Sequence, residues 1–417
     1  MSIKSDIYNH YSKAAASADA RYILSMIGQI FNQSYIELPH PEYPDINTQC
    51  KASYQETNFN ILFFSDEAGG YQWFLVQAGA FMNLLVTEQS EYRVAAGMDG
   101  PITKALSLIR SGALQKKWSE NNQFGGFRLS HSRPYHFFYD QLINVKRIAS
   151  LLPTHLRRIY IDEQSFWNPD STFGVEHRKA EPGYYYFNPS LIYSFKWKRE
   201  APHDYFSAAA DLEMRINQQS EASRSREAQA EPDYDLVLWI GITGQKRAWL
   251  EQEIGYAEII NCLRKDYNSI LVYIDGLTAP IGKTLSAEED RDIGLSIANQ
   301  IDNSDDSIRF KYIMGMDYRD KINICKSIDV FIANAGSGCI VPLRLGRKPG
   351  VLHSNKSLNT FGGDVYPNTV RFIHNKFVTE ALGDSNKPKG EISYHIDWRD
   401  LYAELFDVLS DRGDQRS

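Results

Sequence analysis

Residues 327–338, SIDVFIANAGSG, decide the fold of the second half of this chain. An apolar run, Val330 to Ala333, ends in the turn Asn334–Gly338, and Cys339 to Leu345 then reads as a short helix that stops at Gly346. A buried strand that leads through a glycine turn into a helix is typical of parallel α/β sheets. Glycines in such a turn let the backbone approach a ligand closely and permit positive φ.

Outward from this stretch, strands and helices alternate through the whole second half. Further strands are predicted at 236–240, 270–274, 310–314 and 349–353, and helices at 248–265, 286–301 and 319–327. Strands separated by helices of this length imply βαβ units in a parallel sheet. Right-handed crossovers then place every strand-to-helix loop on one edge of the sheet, where ligands bind.

The first half predicts a second α/β lobe with more irregular insertions. Its strands are expected at 60–64 and 158–161, and its helices at 71–86 and from Pro134 to about residue 152. A polar stretch without large apolar residues, 217–232, reads as a linker or a frayed solvent helix. The predicted division is 1–216, the linker 217–232, a second lobe 233–395, and a C-terminal helix and tail 396–417.

Composition bounds the class of protein. The chain has 417 residues, 43% hydrophobic and 23% charged, which excludes wholesale disorder and a membrane bundle. A net charge of −7 gives no global basic field for nucleic acid or anionic lipid. Four scattered cysteines without CxxC and a first segment without an apolar signal favour a reduced, cytoplasmic protein, at most peripheral to a membrane. The aromatic content of 13% fits core packing or stacking platforms for a ring-shaped ligand.

A second turn, Gly241 to Arg247, is expected on the same sheet edge as Asn334–Gly338. It ends in Lys246 and Arg247 where a helix is predicted to begin, and cations are unfavourable there unless an anion is shared. Arg247 could grip a diphosphate bidentately, with Lys246 as a point charge. For Gly241–Arg247 the alternative is solvated surface charge. For Asn334–Gly338 the alternative is a tight strand-to-helix connection that binds no ligand. The turn Asn334–Gly338 is not a P-loop, since no GK[ST] follows it.

The run 327–338, followed by LGRKPGVLH at 345–353, resembles the donor-domain end of GT-B-fold glycosyltransferases, and 241–247 is similar to their first donor-domain loop. The resemblance covers roughly residues 233–375, and UDP-sugar 2-epimerases and pyruvyl transferases share related architecture. It implies two Rossmann-like lobes facing an interdomain cleft, with the donor on 233–395 and the acceptor on 1–216. In this fold a C-terminal helix often crosses back to brace the first lobe, and packing within its own lobe is the alternative explanation for the apolar spacing of 398–409.

The two turns and the ends of two further strands together give the predicted donor site. Its predicted residues are Gly244, Lys246, Arg247, Asp275, Asn334, Gly336, Ser337, Gly338, His353 and Asn355. Asp275 and the His353–Asn355 segment end two further strands and could hydrogen-bond to donor hydroxyls, with plain turn or structural roles as the alternatives. No metal is expected, because basic side chains stabilise the departing phosphate in such enzymes. The D-x-D matches at 233–235 and 290–292 have the wrong context for a metal site.

A base that takes the acceptor hydroxyl's proton is expected in the first half. If Pro134 begins a helix, His136 and Asp140 lie four residues apart on one face, and the carboxylate could orient the imidazole. A structural His–Asp pair is the alternative. Asp66 and Glu67, after the strand 60–64, are second candidates that could equally be turn residues.

The sequence therefore predicts a glycosyltransferase that moves a sugar from a nucleotide donor to a hydroxyl of a glycan, lipid-linked or protein acceptor, in bacterial surface-glycan assembly. The nucleotide-sugar is a co-substrate, and no cofactor or nucleic-acid partner is expected. The alternative enzymes are an epimerase and a pyruvyl transferase, and an epimerase would instead need acid–base groups around the donor sugar on the nucleotide's own side. A non-catalytic nucleotide-sugar or glycan-binding protein would lose nothing measurable without His136.

Overall fold

The structure is a computed structural model, and the chain divides into two compact units, Met1–Leu212 (unit 1) and Glu213–Ser417 (unit 2). The residues that it describes are 37–56, 59–78, 82–94, 99–116, 124–131, 133–151, 158–162, 164–179, 181, 184–189, 198–199, 201–222, 233–301, 306–358, 369–384 and 386–416. Among the helices of these residues, none has both the length and the apolar character of a membrane span.

Unit 1 contains an antiparallel sheet of six strands in sequence order. The strands are β1 (Glu37–Pro39), β2 (Asn47–Glu56), β3 (Phe59–Ser65), β4 (Trp73–Gln77), β5 (Leu84–Thr87) and β6 (Glu91–Arg93). Helix α1 (Asp99–Arg110) buries Ile102 and Ala105 in the same apolar cluster as residues of β3, β4 and β5. This meander was not predicted from the sequence.

The described residues of unit 1 also form a four-stranded parallel sheet. In spatial order it runs β10 (Tyr185–Phe187), β7 (Phe124–Leu129), β8 (Ile159–Ile161) and β9 (His177–Lys179). The helical segment after β7 runs through Pro134–His136, a π-helical turn Phe137–Leu142 and α2 (Ile143–Leu151), followed later by α3 (Pro169–Phe173). The predicted strand at 158–161 and the helix from Pro134 are confirmed.

The predicted helix 71–86 is wrong: this stretch forms β4 and β5. Its residues are apolar at consecutive positions, and a short run of that kind does not distinguish a buried strand from a buried helix. Tertiary pairing decides, because Trp73 lies opposite Phe64 of β3 with the two rings stacked at 4.3 Å.

Unit 2 has the predicted parallel sheet, with six strands in the order β13-β12-β11-β14-β15-β16. The strands are β11 (Leu236–Gly241), β12 (Ile270–Asp275), β13 (Ile308–Tyr312), β14 (Val330–Asn334), β15 (Gly350–His353) and β16 (Val370–Phe372). Counted within this unit, the order is 3-2-1-4-5-6, which is that of the dinucleotide-binding Rossmann sheet. The α/β class is thereby confirmed, and β16 adds a strand that the sequence did not predict.

Helices and short elements precede, connect and follow these strands. They are α4 (Pro202–Ala222), which spans the boundary of the units, α5 (Gln252–Leu263), α6 (Glu288–Asn299), α7 (Tyr318–Cys325), α8 (Trp398–Arg416) and the pair β17 (Thr379–Glu380) and β18 (Tyr394–His395). The predicted helix at 339–345 is a 3-10 turn, Ser337–Cys339, followed by a π-helical turn, Ile340–Leu345.

Two predicted boundaries concern the segments that flank unit 2. Of the linker 217–232, the first six residues continue α4 to Ala222 as a helix, and 223–232 lie outside the described residues. Helix α8 packs on α5, β15 and β16 of its own unit, where Leu401, Leu405 and Val408 are buried. Its predicted crossing to the first lobe stays a prediction.

Candidate functional site

The turns 241–247 and 334–338 leave neighbouring strands of unit 2. β11 and β14 pair in parallel, and the strand order reverses between them, which is where open α/β sheets bind ligands. The strands approach so closely that a Cβ on Gly241 would lie 3.0 Å from the Cβ of Ala333. The structure therefore brings together the two turns that the sequence placed on one edge.

Arg247 lies directly over the glycine turn. A Cβ on Gly336, whose φ is +143°, would stand 2.9 Å from the Arg247 Nη2 atom. Asn334 fixes the backbone of the arginine, since its Nδ2 donates to the Arg247 carbonyl oxygen at 3.0 Å. Arg247 itself has φ +52°, a left-handed conformation that costs a non-glycine residue of the order of 1–3 kcal/mol and is often found at ligand sites.

Lys246 and the backbone of Arg247 are both held by Glu391. The Lys246 Nζ lies 2.8 Å from the Glu391 Oε1, and the Arg247 N–H donates to the Glu391 carbonyl oxygen at 3.3 Å. The predicted position of these cations at a helix start is wrong, because α5 begins only at Gln252. Their place is explained by Glu391 and by the neighbouring glycine turn instead of by a helix terminus.

A chain of hydrogen bonds between buried side chains connects Asn334 of one turn with the Gly241 carbonyl oxygen of the other. Asn334 Nδ2 donates to the Tyr394 hydroxyl at 2.6 Å, and that hydroxyl lies 2.8 Å from the Nδ1 of His353. The Nε2 of His353 lies 3.1 Å from the Tyr256 hydroxyl, which donates to the Gly241 carbonyl oxygen at 2.9 Å. One neutral tautomer satisfies every bond: Nε2–H donates to Tyr256, and Nδ1 accepts from Tyr394. Burial lowers the pKa of His353 to about 3, which keeps the ring neutral.

The side chains of His353, Asn355 and Asp275 are buried in the protein interior and are not exposed at the turns. His353 is 2% exposed and Asn355 is 0% exposed, with the Asn355 Nδ2 donating to the carbonyl oxygens of Lys389 and Ile392. Asp275 is buried against Lys321, with 2.5 Å between Oδ1 and Nζ. The geometry favours supporting roles for these three residues over the donor contacts that the sequence predicted.

The remaining predicted donor residues, Gly244, Ser337 and Gly338, belong to the two turns themselves. Gly244 lies against the side chain of Glu289, whose Cδ would be 2.7 Å from an added Cβ. Ser337 begins the 3-10 turn, and Gly338 is exposed with nothing within 4 Å of an added Cβ.

Alanine substitution is expected to affect stability at Gly336 but not at Gly338. Gly336→Ala should lose of the order of 1–3 kcal/mol of unfolding free energy, because alanine rarely adopts φ +143°, and it should also displace the Arg247 guanidinium. Gly338→Ala is the matched control and should leave stability nearly unchanged. Urea denaturation of both variants checks this, and equal midpoints would contradict the geometry.

In unit 1 the structure pairs His136 with Asp140. The His136 Nδ1 lies 2.5 Å from the Asp140 Oδ2, and both side chains are partly exposed. The pair spans the start of the π-helical turn, an irregularity that is common at functional sites. His131 lies beside it, with ring centroids 4.6 Å apart, and burial lowers the pKa of His131 to about 4. The spacing inference is thus met, and the catalytic role of the pair stays a prediction.

Asp66 and Glu67 lie in the connection between β3 and β4, which is a hairpin loop of an antiparallel sheet. Asp66 Oδ1 accepts the N–H of Tyr71 at 2.9 Å, and such backbone hydrogen bonds lower the pKa of its carboxyl group. Glu67 is exposed. The turn-forming role left open by the sequence is therefore the one that the geometry favours for Asp66.

Several residues that shape the site were not singled out from the sequence. They are Tyr256, Glu289, Lys321, Glu391 and Tyr394. Tyr256 carries a weak signal, since it lies on the buried face of a predicted helix. The others come from distant segments, and only tertiary contacts reveal them.

No protein-family model and no curated protein sequence matches this chain. Among solved structures it is similar to E. coli ADP-heptose LPS heptosyltransferase II, with 13% identity over 64% of this chain and 81% of that chain and a TM-score of 0.34. It is also similar to a putative UDP-N-acetylglucosamine 2-epimerase from Listeria monocytogenes, with 10% identity, 75% and 71% coverage and a TM-score of 0.34.

A third similar structure is S. aureus MnaA, solved with UDP, with 12% identity, 66% coverage of each chain and a TM-score of 0.30. A glycosyltransferase and a 2-epimerase are thus among the structural neighbours, and both are classes that the sequence resemblance named. At TM-scores this low the likeness carries no argument about activity, which rests on the turns themselves.

Proposed function

We propose that the chain is a glycosyltransferase of the GT-B type that uses a nucleotide-sugar donor. The observation that carries the proposal is the position of Arg247 over Gly336 at the switch point of a 3-2-1-4-5-6 sheet. A guanidinium beside a glycine turn offers bidentate hydrogen bonds to a diphosphate, and the glycine lets the phosphates approach the backbone.

The roles of the residues follow from their chemistry. Arg247 binds the donor diphosphate and stabilises the charge that develops on the departing nucleotide, with no metal required. Lys246 shares its charge between Glu391 and the phosphates. In unit 1, His136 takes the proton of the acceptor hydroxyl through its Nε2, while Asp140 holds the Nδ1–H and stabilises the imidazolium.

A nucleotide-sugar epimerase or pyruvyl transferase is the second candidate. An epimerase would need available acid–base groups beside the donor sugar in unit 2. Asp275 is held by Lys321 there, and His353 uses both ring nitrogens within the core, which favours the transferase. A glycan, lipid-linked or protein acceptor, a place in surface-polysaccharide assembly and a cytoplasmic location, with at most peripheral contact with the inner membrane face, complete the proposal.

Nucleotide binding tests the donor site directly. With a nucleoside diphosphate (UDP, ADP, GDP or CDP) at 100 times its dissociation constant, the folded state should gain about 2.7 kcal/mol. Arg247→Ala should abolish the thermal shift because the guanidinium is lost. Arg399→Ala, which removes an exposed arginine far along the chain, is the control and should shift like the parent. An undiminished shift in Arg247→Ala would show the donor assignment to be wrong.

A further inference from the structure

Two exposed tyrosines lie side by side in two loops of the antiparallel sheet of unit 1. Tyr43, in the β1–β2 connection, and Tyr71, in the β3–β4 connection, are 43% and 37% exposed. Their ring centroids are 5.3 Å apart and their planes meet at 68°. We call these two residues the tyrosine pair. The two rings meet edge to face, and each keeps part of its surface open to solvent; we call the angle between the two rings the notch.

The notch is supported by a buried histidine. His40 is 3% exposed, and its ring centroid lies 5.2 Å from that of Tyr43 and 5.8 Å from that of Tyr71. Its Nδ1 accepts the backbone N–H groups of Glu42 and Tyr43, at 3.1 and 3.3 Å. The imidazole therefore fixes both the loop that carries Tyr43 and the surface on which the tyrosines rest.

The second loop is equally well ordered. Asp66 Oδ1 accepts the Tyr71 N–H, and the Gly69 N–H donates to the Asp66 carbonyl oxygen at 3.2 Å. The side chain of Gln72 donates to the Gly69 carbonyl oxygen at 2.9 Å. Because both loops are held by bonds within the unit, the rings need little ordering when a ligand binds, which favours affinity.

The charge around the tyrosine pair selects the ligand. Burial lowers the pKa of His40, and the negative charges of the nearby Glu42, Asp66 and Glu88 carboxylates oppose that shift. Such surroundings repel phosphates, uronic acids and nucleic acids. They also supply hydrogen-bond acceptors for hydroxyl groups. A ligand that fits has a flat apolar face for an aromatic ring, hydroxyl groups at its edge, and no negative charge.

We propose that the tyrosine pair binds an uncharged pyranose residue of a glycan. The C–H face of the sugar packs on one tyrosine ring, the second ring closes the notch from the side, and Asp66 and Glu67 accept hydrogen bonds from its hydroxyls. The tyrosine pair belongs to unit 1 alone. The inference therefore needs neither the donor site nor the transfer reaction.

Affinity electrophoresis tests this binding surface with the intact chain. Native gels contain dextran, galactomannan or xylan as uncharged probes, or polygalacturonate as the anionic probe. At least one uncharged polysaccharide should retard the parent, and Tyr43→Ala and Tyr71→Ala should each raise the apparent dissociation constant about two- to tenfold, since a stacked ring is lost. Tyr71→Phe should keep most of the retardation. Phe406→Ala, an aromatic residue of unit 2 that is 50% exposed, is the control and should migrate like the parent.

Three outcomes would overturn the proposal. They are the absence of retardation by every uncharged probe, retardation by polygalacturonate alone, and equal retardation of the parent and both alanine variants. Ligand-observed NMR with tetramethylammonium and with a proline-rich peptide tests the other ligands that aromatic notches accept. Binding of either in place of the sugars counts against a glycan. Nucleotide thermal shifts of the tyrosine variants should match the parent, which separates this result from that of the donor site.

Discussion

Lys321→Met is expected to lower the free energy of unfolding by about 3–5 kcal/mol, a large part of the roughly 5–15 kcal/mol of an ordinary domain. Lys321 is fully buried, and its Nζ lies 2.5 Å from the Asp275 carboxylate. The same ammonium donates to the Thr278 hydroxyl at 2.8 Å and to the Leu277 carbonyl oxygen at 3.0 Å. Its removal leaves a carboxylate in the interior without a counter-charge.

The double variant Asp275→Asn/Lys321→Met distinguishes the contribution of the ion pair from the cost of leaving one buried charge unpaired. Because it removes both charges, it should recover part of the loss seen in the single variant. Lys326→Met is the control, since Lys326 forms a partly exposed ion pair with Glu221 and should cost at most about 1 kcal/mol. Urea denaturation gives all three values. A loss in Lys321→Met no larger than that of the control would contradict the buried pair.

The pH dependence of the single variant gives a second signature. Burial raises the pKa of Asp275 above its usual value even with Lys321 beside it. Without the lysine, the folded state keeps a proton that the unfolded chain releases near pH 4. The free energy of unfolding of Lys321→Met should therefore fall, relative to the parent, as the pH rises from about 4 to 7.

Acidification should destabilise unit 2 through His353. The folded pKa is about 3 against an ordinary value of 6.5, so between these values the unfolded state binds a proton that the folded state does not. The contribution is fully present above pH 6.5 and is lost as the pH falls toward 3. The slope is about 1.4 kcal/mol per pH unit for one proton. Protonation of His353 also breaks the buried hydrogen-bond chain, because Nδ1 could no longer accept a hydrogen bond from the Tyr394 hydroxyl.

His353→Gln provides the measurement. Glutamine keeps one donor and one acceptor but does not titrate, so its free energy of unfolding should depend less on pH between about 6.5 and 4.5 than that of the parent. His203→Gln replaces a histidine that is 97% exposed and should keep the parent slope. Taking the difference from the parent cancels the contribution of His131 in unit 1. Parallel pH profiles for the parent and His353→Gln would contradict the buried neutral tautomer.

The fold of unit 2 followed from local patterns. The strands β11, β12, β14 and β15 are short, largely apolar runs, and turns that contain glycine or polar residues follow them. Such runs can be recognised from the local sequence alone. The positions of β11, β12, β14 and β15 were therefore all predicted within one or two residues. The meander of unit 1 was not, because the stretch 71–86 is apolar in a way that suits either a strand or a helix until β3 pairs with it.

The site divides in the same way. Asn334, Gly336 and Arg247 were predicted because strand ends of a parallel sheet meet at one edge, and His136 with Asp140 because residues four apart share a helix face. Glu391, Tyr394 and Lys321 were missed since each reaches the site from a remote part of the chain.

By itself, the amino-acid sequence determined the parallel α/β sheet of unit 2, the two turns at its switch point and the pairing of His136 with Asp140. The reason is that strand periodicity, glycine turns and helical spacing are local properties of the chain. Only the tertiary structure decided that Arg247 lies over Gly336, that His353 and Asp275 support the turns from within, and that Tyr43 and Tyr71 form one surface. Those facts depend on contacts between distant segments, where burial and charge pairing, not local pattern, set the role of each side chain.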